Sequence, residues 1–139
     1  MYNGFYTNYE AELNDAFAYF QAEGITHFIL DLRYNSGGSV NTATRLASMI
    51  TGQFNNQIFA KQQWNYKIEN LINNPEALLN RFTNSLSNGN GINHLNLNKV
   101  YVLTTKRSAS ASELVINGLV PYINVIQIGD VTAGKNVGS

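Results

Sequence analysis

Two short stretches hold the residue types best suited to covalent chemistry: residues 108–113, Ser-Ala-Ser-Ala-Ser-Glu, and Gly134-Lys135 near the end of the chain. A serine at the start of a helix can attack a carbonyl carbon, and a neutral lysine can accept the hydroxyl proton. Because lysine has a reference pKa of about 10.4, a catalytic lysine needs an apolar setting that lowers this value. The residues expected to supply that setting are Val131, Ala133 and Val137. The chain has two histidines and no cysteine, so it offers few other pairs of nucleophile and base.

Both stretches also fit interpretations without catalysis. Ser110-Ala-Ser-Glu113 matches a capping box, in which the two side chains bind free N–H groups at a helix start, and the pattern alone favours this role. Lys135, taken alone, is typical of a solvated loop. Residues 129–135 also fit the phosphate-binding pattern G-x-x-x-x-G-K, but Asn136 stands where a serine or threonine would bind Mg²⁺. A nucleotide-binding loop is therefore the weakest of these alternatives.

A third stretch, Asn35-Ser-Gly37-Gly38, offers backbone amides that no side chain shields. An oxyanion hole requires such amides, and a plain turn between a strand and a helix explains the glycines equally well. Asp31 and Arg33 lie just before this turn and are expected to pair with each other.

Apolar spacing predicts helices and strands that alternate along the chain. The predicted elements are a helix capped by Asn8 that stops near Gly24, a buried strand at 25–32, a helix at 40–51, a strand at 99–105, a helix at 110–119 and a strand at 125–128. Strands alternating with helices imply an α/β fold with right-handed β-α-β units and a mainly parallel sheet. All three loops described above follow strands, so they should gather at one sheet edge, where ligands bind in such folds.

The middle of the chain is less regular. Residues 57–68 are predicted to form an extended hairpin arm, and Asn74-Pro75 to begin a helix that includes Phe82. Residues 83–98 are rich in Asn, Ser and Gly and predict a mobile loop, which would serve as a lid or a substrate-facing insertion. His27 is expected in the core and His94 in solvent, so no metal cluster is predicted.

Composition narrows the function classes. The 139 residues suit one domain, and a formal net charge of zero provides no basic surface for nucleic acid. No run of about 18 apolar residues is present, so we expect no membrane span in this chain. We therefore expect a globular domain with a formal net charge of zero and without nucleic-acid partners.

Together, these segments resemble the tail-specific or C-terminal processing serine peptidases, a family with the crotonase/ClpP-like fold. Residues 31–38, Asp-Leu-Arg-Tyr-Asn-Ser-Gly-Gly, resemble the family's D-L-R-x-N-x-G-G stretch. Residues 108–113 and 129–135 are similar to its S-A-S-A-S-E and G-[E/D]-x-T-x-G-K blocks. Lys135 follows Ser110 by 25 positions, as the family's lysine follows its serine.

The resemblance implies a role for each matching residue. Ser110 would be the nucleophile, and Lys135 the general base that later protonates the leaving amine. The oxyanion hole would use the Ala111 amide with one from Gly37 or Gly38. Supporting positions would be Asn35, Glu113 and Thr132. The implied substrate is a polypeptide, and the resemblance implies neither a cofactor nor a metal.

The resemblance also implies that residues 1–139 form an incomplete catalytic core, in which 55–98 are a variable insertion. The PDZ domain and the sheet elements that follow the lysine in the family are missing, and Ser139 stands where a glutamine often orients that lysine. A non-catalytic peptide-binding module with the same fold is the alternative. The family implies a periplasmic or cell-surface location in a bacterial parent, and homodimer formation is a further expectation.

Overall fold

The computed structural model describes residues 1–137. Its elements, in chain order, are a 3-10 turn at Thr7–Tyr9, α1 (Glu10–Ala22), β1 (Ile29–Asp31), α2 (Val40–Thr51), β2 (Ile58–Lys61), α3 (Tyr66–Glu69), a 3-10 turn at Pro75–Leu78, β3 (Leu79–Arg81), β4 (Lys99–Thr104), α4 (Ala111–Leu119) and β5 (Asn124–Gly129). Within these residues, no helix is long and apolar enough to cross a bilayer.

A three-stranded sheet, in the order β1-β4-β5, forms the centre of the fold. Both strand pairs are parallel, which confirms the predicted mixed α/β architecture with a parallel sheet. The central strand β4 alternates buried and half-buried residues, and its Val100 and Val102 have no exposed surface. Because the strands are parallel, the loops that follow β1, β4 and β5 all leave from one edge, which we call the site edge.

Helix α2 matches its predicted bounds of 40–51. It begins where the Ser39 side chain accepts the Thr42 N–H (3.3 Å) and ends at Gly52, whose φ is +84°. Helix α4 begins directly after Ser110, as predicted. Both helices bury apolar residues in the same core cluster as β4, so the helix starts at Ser39 and Ser110 are held rigidly against the sheet.

Three predictions for the first forty residues are wrong in detail. Asn8 does not cap α1, because it lies inside the preceding 3-10 turn and Tyr9 takes the cap position. The strand predicted at 25–32 is confined to β1, and Ile29 is 62% exposed because β1 is an edge strand with a neighbour on one side. His27 is exposed just before β1, stacked on Tyr101, and is not in the core.

A separate two-stranded antiparallel sheet pairs β2 with β3. The extended arm predicted at 57–68 is confirmed at β2 and ends at α3. The helix predicted from Asn74 does begin there, with Pro75 in its first position, but it is a short 3-10 turn that runs directly into β3 and does not extend to Phe82. Tertiary packing explains the difference, because Phe82 contacts the rings of Phe54, Phe59 and Tyr122. An aromatic cluster of this kind outweighs local helix propensity.

The lid predicted at residues 83–98 is also wrong. The Leu95 and Leu97 N–H groups donate to the carbonyls of Met49 and Ile50, at the last turn of α2. The Ser87 hydroxyl donates to buried Glu10 (2.7 Å). Since α2 starts at the site edge and ends at the opposite edge, residues 94–97 pack away from the site, and His94 is half-buried there.

Candidate active site

The three loops at the site edge contact each other directly. The Ala109 N–H donates to the Asn35 carbonyl (3.1 Å), which joins the loops after β4 and β1. The Ala133 N–H donates to the Ser108 carbonyl (2.9 Å), which joins the loops after β5 and β4. The predicted gathering of these loops is therefore confirmed.

The three serines of residues 108–112 differ in burial and in hydrogen bonding. Ser108 and Ser112 have no exposed surface, and their hydroxyls donate to the carbonyls of Leu32 and Asn35 (both 2.8 Å). Ser110 is half-buried and keeps access to solvent. Ser108 and Ser112 therefore tie the loop after β4 to the loop after β1, and Ser110 is the serine that a substrate can reach.

This division predicts opposite effects for alanine variants of neighbouring serines. Ser108→Ala and Ser112→Ala each remove a buried hydrogen bond, and we expect each to lower the free energy of unfolding by about 1–2 kcal/mol. Urea denaturation measures this loss. The folded fraction of either variant should still react with a serine-directed probe. A stable Ser108→Ala variant without reactivity would contradict the purely structural role.

Ser110 has an unusual backbone conformation, with φ +57° and ψ −115°. A residue with a side chain rarely adopts positive φ, and such strain is maintained where the surrounding structure enforces it, often at functional sites. The sharp turn from β4 into α4 enforces it here. The same turn sets the residue at the N-terminus of a nine-residue helix, whose free N–H groups favour a developing negative charge.

Glu113 connects Ser110 to the loop that carries Lys135. Its carboxylate accepts the backbone N–H groups of Ser110 (2.8 Å), Gly134 (2.6 Å) and Lys135 (2.9 Å). Burial of Glu113, which is 9% exposed, would raise the pKa of its carboxyl, but hydrogen bonds from the Thr132 side chain and these N–H groups outweigh it and lower the pKa. The predicted capping bond from the Ser110 N–H is therefore confirmed. The capping pattern does not predict the additional bonds from the N–H groups of residues 134 and 135.

The Gly37–Gly38 turn lies against Ser110. A Cβ on Gly37, whose φ is +112°, would stand 2.8 Å from the Ser110 Cβ and 3.1 Å from the Ala111 nitrogen. The Gly37 N–H donates to the side chain of fully buried Asn35 (2.8 Å), so this amide is used by the turn itself. Gly37 thus contributes close approach, and the N–H groups of Gly38 and Ala111 are left as the candidate oxyanion donors.

The apolar setting expected around the lysine is absent from the described part of the chain. Val131 and Val137 are 65% and 64% exposed, and Ala133 and Lys135 are exposed as well. The loop is held by backbone bonds to Glu113 and Ser108, which require no burial of its apolar side chains. Ser139, the expected position of an orienting residue, lies outside the described residues.

The remaining candidate residues have structural roles. Arg33 makes two hydrogen bonds to the Asp31 carboxylate (3.0 and 2.8 Å), which lowers the pKa of Asp31 and confirms the predicted pair. Among residues 1–137, no group of His, Asp and Glu side chains is arranged to hold a metal ion. The nucleotide-binding alternative is not favoured, because a carboxylate already takes the Gly134 and Lys135 N–H groups that would face a phosphate.

Comparison with known proteins identifies the family of this chain. The model of peptidase family S41 matches residues 1–139. This chain belongs to peptidase family S41. The "Probable CtpA-like serine protease" of two Staphylococcus epidermidis strains is 28% identical to this S41 chain over 135 residues, or 97% of it. That alignment covers 24% of the staphylococcal protein, so the chain spans about a quarter of the length of these curated relatives.

Two solved structures share the fold of this S41 chain. A Bacteroides fragilis protein assigned to the S41 proteases is 36% identical, with a TM-score of 0.82 over 99% of this chain and 36% of its own. A photosystem II D1 C-terminal processing protease is 21% identical, with a TM-score of 0.66 over 96% of this chain and 30% of its own. At that lower identity, the second likeness concerns the fold.

Proposed function

We propose that this S41 chain is the catalytic core of a serine endopeptidase of the C-terminal processing type, in which Ser110 and Lys135 form a dyad. The observation that carries the proposal is the single Glu113 oxygen, Oε2, that accepts the N–H groups of both residues. Because both nitrogens bond the same oxygen, they lie within about 6 Å of each other. At this backbone separation, the lysine side chain is long enough to reach the serine hydroxyl, as the proposed proton transfer requires.

In the proposed reaction, Ser110 Oγ attacks the peptide carbonyl carbon while its proton passes to Lys135 Nζ. The oxyanion that forms would be stabilised by the N–H groups of Ala111, at the start of α4, and of Gly38, just before α2. The C–N bond then breaks, the lysine returns the proton to the leaving amine, and an ester remains on Ser110. Water attacks this ester, again with the lysine as base, which releases the acid and restores the serine hydroxyl.

The exposed loop at 131–137 gives the substrate a part in this chemistry. Val131 and Val137 are more than 60% exposed beside the lysine backbone. A bound polypeptide that covers them would exclude water and supply the apolar setting that a neutral lysine requires. The proposal therefore expects the base to become active when the substrate binds.

We expect Ser110→Ala to abolish labelling by a fluorophosphonate, which reacts with activated serine hydroxyls. The test uses the chain at its full natural length, with in-gel fluorescence as the readout. The free energy of unfolding of the Ser110→Ala protein should stay within about 1 kcal/mol of that of the unmodified protein, since only a helix-cap side chain changes. Equal labelling of both proteins would refute the nucleophile. Peptide binding that survives loss of both Ser110 and Lys135, in an unmodified protein that neither labels nor cleaves, would instead support a non-catalytic binding module.

Five further expectations belong to the same proposal. We expect the observed parallel sheet to belong to a fold of the crotonase/ClpP-like type. Residues 55–98, which include β2 and β3, would be the variable insertion of the catalytic core. We also expect a polypeptide partner, homodimer formation and a periplasmic or cell-surface location in a bacterial parent protein.

A further inference from the structure

A groove of about 220 Å³ lies between α2 and β3 and contains two arginines. It is lined by Asn41, Thr44, Arg45, Leu79, Asn80, Arg81 and Thr83. Six of these seven side chains are polar or charged, and within this lining both charged side chains are positive. The groove is therefore suited to a polar ligand with negative charge.

The groove begins close to the candidate active site. The Asn80 side chain donates to Asn41 (3.3 Å), in the first turn of α2, and α2 starts one residue after Ser39, next to Gly38. Arg45 lies one and a half turns into the helix, which at 1.5 Å per residue is roughly 10 Å from Gly38. An extended peptide rises about 3.3 Å per residue, so a side chain about three residues from the reacting bond can reach the groove.

The two arginines differ in how firmly their present partners hold them. Arg45 Nη1 contacts Glu10 (2.8 Å), which is 3% exposed, and the buried Arg45 Nε has no acceptor within residues 1–137. Arg81 Nη2 contacts Glu76 (2.8 Å), whose side chain is 65% exposed. An exposed ion pair of this kind adds little stability, so another carboxylate can replace Glu76 at little cost. Arg81 Nη1 also donates to the Asn56 carbonyl (3.0 Å), so Nη2 is the donor that an incoming acid can take over from Glu76.

We infer that this two-arginine groove is a subsite for one carboxylate of the polypeptide substrate, and that Glu76 competes for Arg81 in the free protein. The substrate class rests on the proposed peptidase function. Arginine suits this task because its planar donors match both oxygens of a carboxylate. The carboxylate can come from an Asp or Glu side chain or from the C-terminus of the peptide.

Peptide binding to the Ser110→Ala protein at full natural length tests the subsite without cleavage. Fluorescence anisotropy compares peptide pairs that carry Glu or Gln at one scanned position, and pairs that end in a carboxylate or an amide. We expect one acidic peptide to bind about fivefold more tightly than its neutral partner. The scanned pairs and the terminal pairs separate the two sources of the carboxylate.

Two variants should move this preference in opposite directions. Arg81→Gln should bring the acidic and neutral peptides to equal affinity, while Glu76→Gln should increase the preference because the competitor is gone. Lys99→Gln, which removes an equal charge at the opposite edge of the sheet, should leave it unchanged. A purely structural ion pair would give both variants of the pair the same effect.

Equal binding of every peptide pair, or a preference that survives Arg81→Gln, would overturn the subsite. Labelling of the unmodified protein with fluorophosphonate tests the peptidase proposal separately. Labelling without an acidic preference would refute the subsite alone. An acidic preference without labelling would support the subsite and refute the catalytic role of Ser110.

Discussion

Gly37→Ala is expected to reduce acylation of Ser110 by about a hundredfold or more, the cost of disturbing one oxyanion-hole donor. The added methyl group would stand 2.8 Å from the Ser110 Cβ, closer than such atoms approach each other, and 3.1 Å from the Ala111 nitrogen. Either Ser110 or the Ala111 amide must move to admit it. The rate of fluorophosphonate labelling measures the effect.

A matched control separates this contact from the backbone cost of replacing a glycine. Gly89 also has positive φ (+86°), but a Cβ there would meet no atom within 4 Å. Gly89→Ala should therefore lower stability by about 1 kcal/mol and leave the labelling rate unchanged. If Gly37→Ala labels as fast as Gly89→Ala, the Gly37 turn does not shape the site.

Glu113→Gln is expected to have the second large effect, on both stability and reactivity. The amide keeps one acceptor oxygen and turns an NH₂ group toward backbone N–H donors that are now bonded to the carboxylate. Buried donors without partners cost about 1–3 kcal/mol each, so we expect stability to fall by about 3 kcal/mol. Labelling should fall because Ser110 and the Lys135 loop lose their common anchor.

Glu12→Gln is the control, since Glu12 is an exposed carboxylate on α1. It should change the free energy of unfolding by less than about 0.5 kcal/mol and leave labelling intact. A Glu113→Gln protein as stable and reactive as this control would show that the three backbone bonds contribute little.

The pH dependence of stability has a definite sign. The folded pKa of Glu113 lies below its ordinary value, so its contribution is fully present above the unfolded pKa of about 4.3 and is lost as the pH falls through the folded pKa. Asp31 and Glu10 also have lowered pKa values and act in the same direction. Thermal unfolding from pH 7 to pH 2.5 should show a smaller acid loss in Glu113→Gln. An identical pH profile in the two proteins would contradict a stabilising role of the Glu113 carboxylate.

Local pattern was sufficient where sequence neighbours decide the outcome. The bounds of α2 follow from Ser39 as cap and Gly52 as stop, and α4 starts at the predicted serine. Parallel pairing follows from alternation of strands and helices, and it was enough to bring residues 35–38, 108–112 and 130–135 together.

The errors arise where distant residues decide. Phe82 enters an aromatic cluster with residues far along the chain, which converts a predicted helix into β3. Polar residues at 83–98 predicted a mobile loop, but their backbone bonds reach α2, a partner that composition does not reveal. The capping pattern identified one bond of Glu113, and the others depend on the return of a loop from β5.

Oε2 of Glu113 accepts the N–H groups of both Ser110 and Lys135, so the conformation of the turn at Ser110 and the position of the loop at 131–137 depend on each other. A ligand that stabilises residues 131–137 therefore also stabilises the turn at Ser110. By thermodynamic reciprocity, that turn favours binding of the ligand by the same factor. A change that displaces one of the two backbone segments is therefore expected to displace the other as well. Under the proposed function, a bound polypeptide that covers Val131 and Val137 would therefore stabilise the turn at Ser110 together with the loop that carries Lys135.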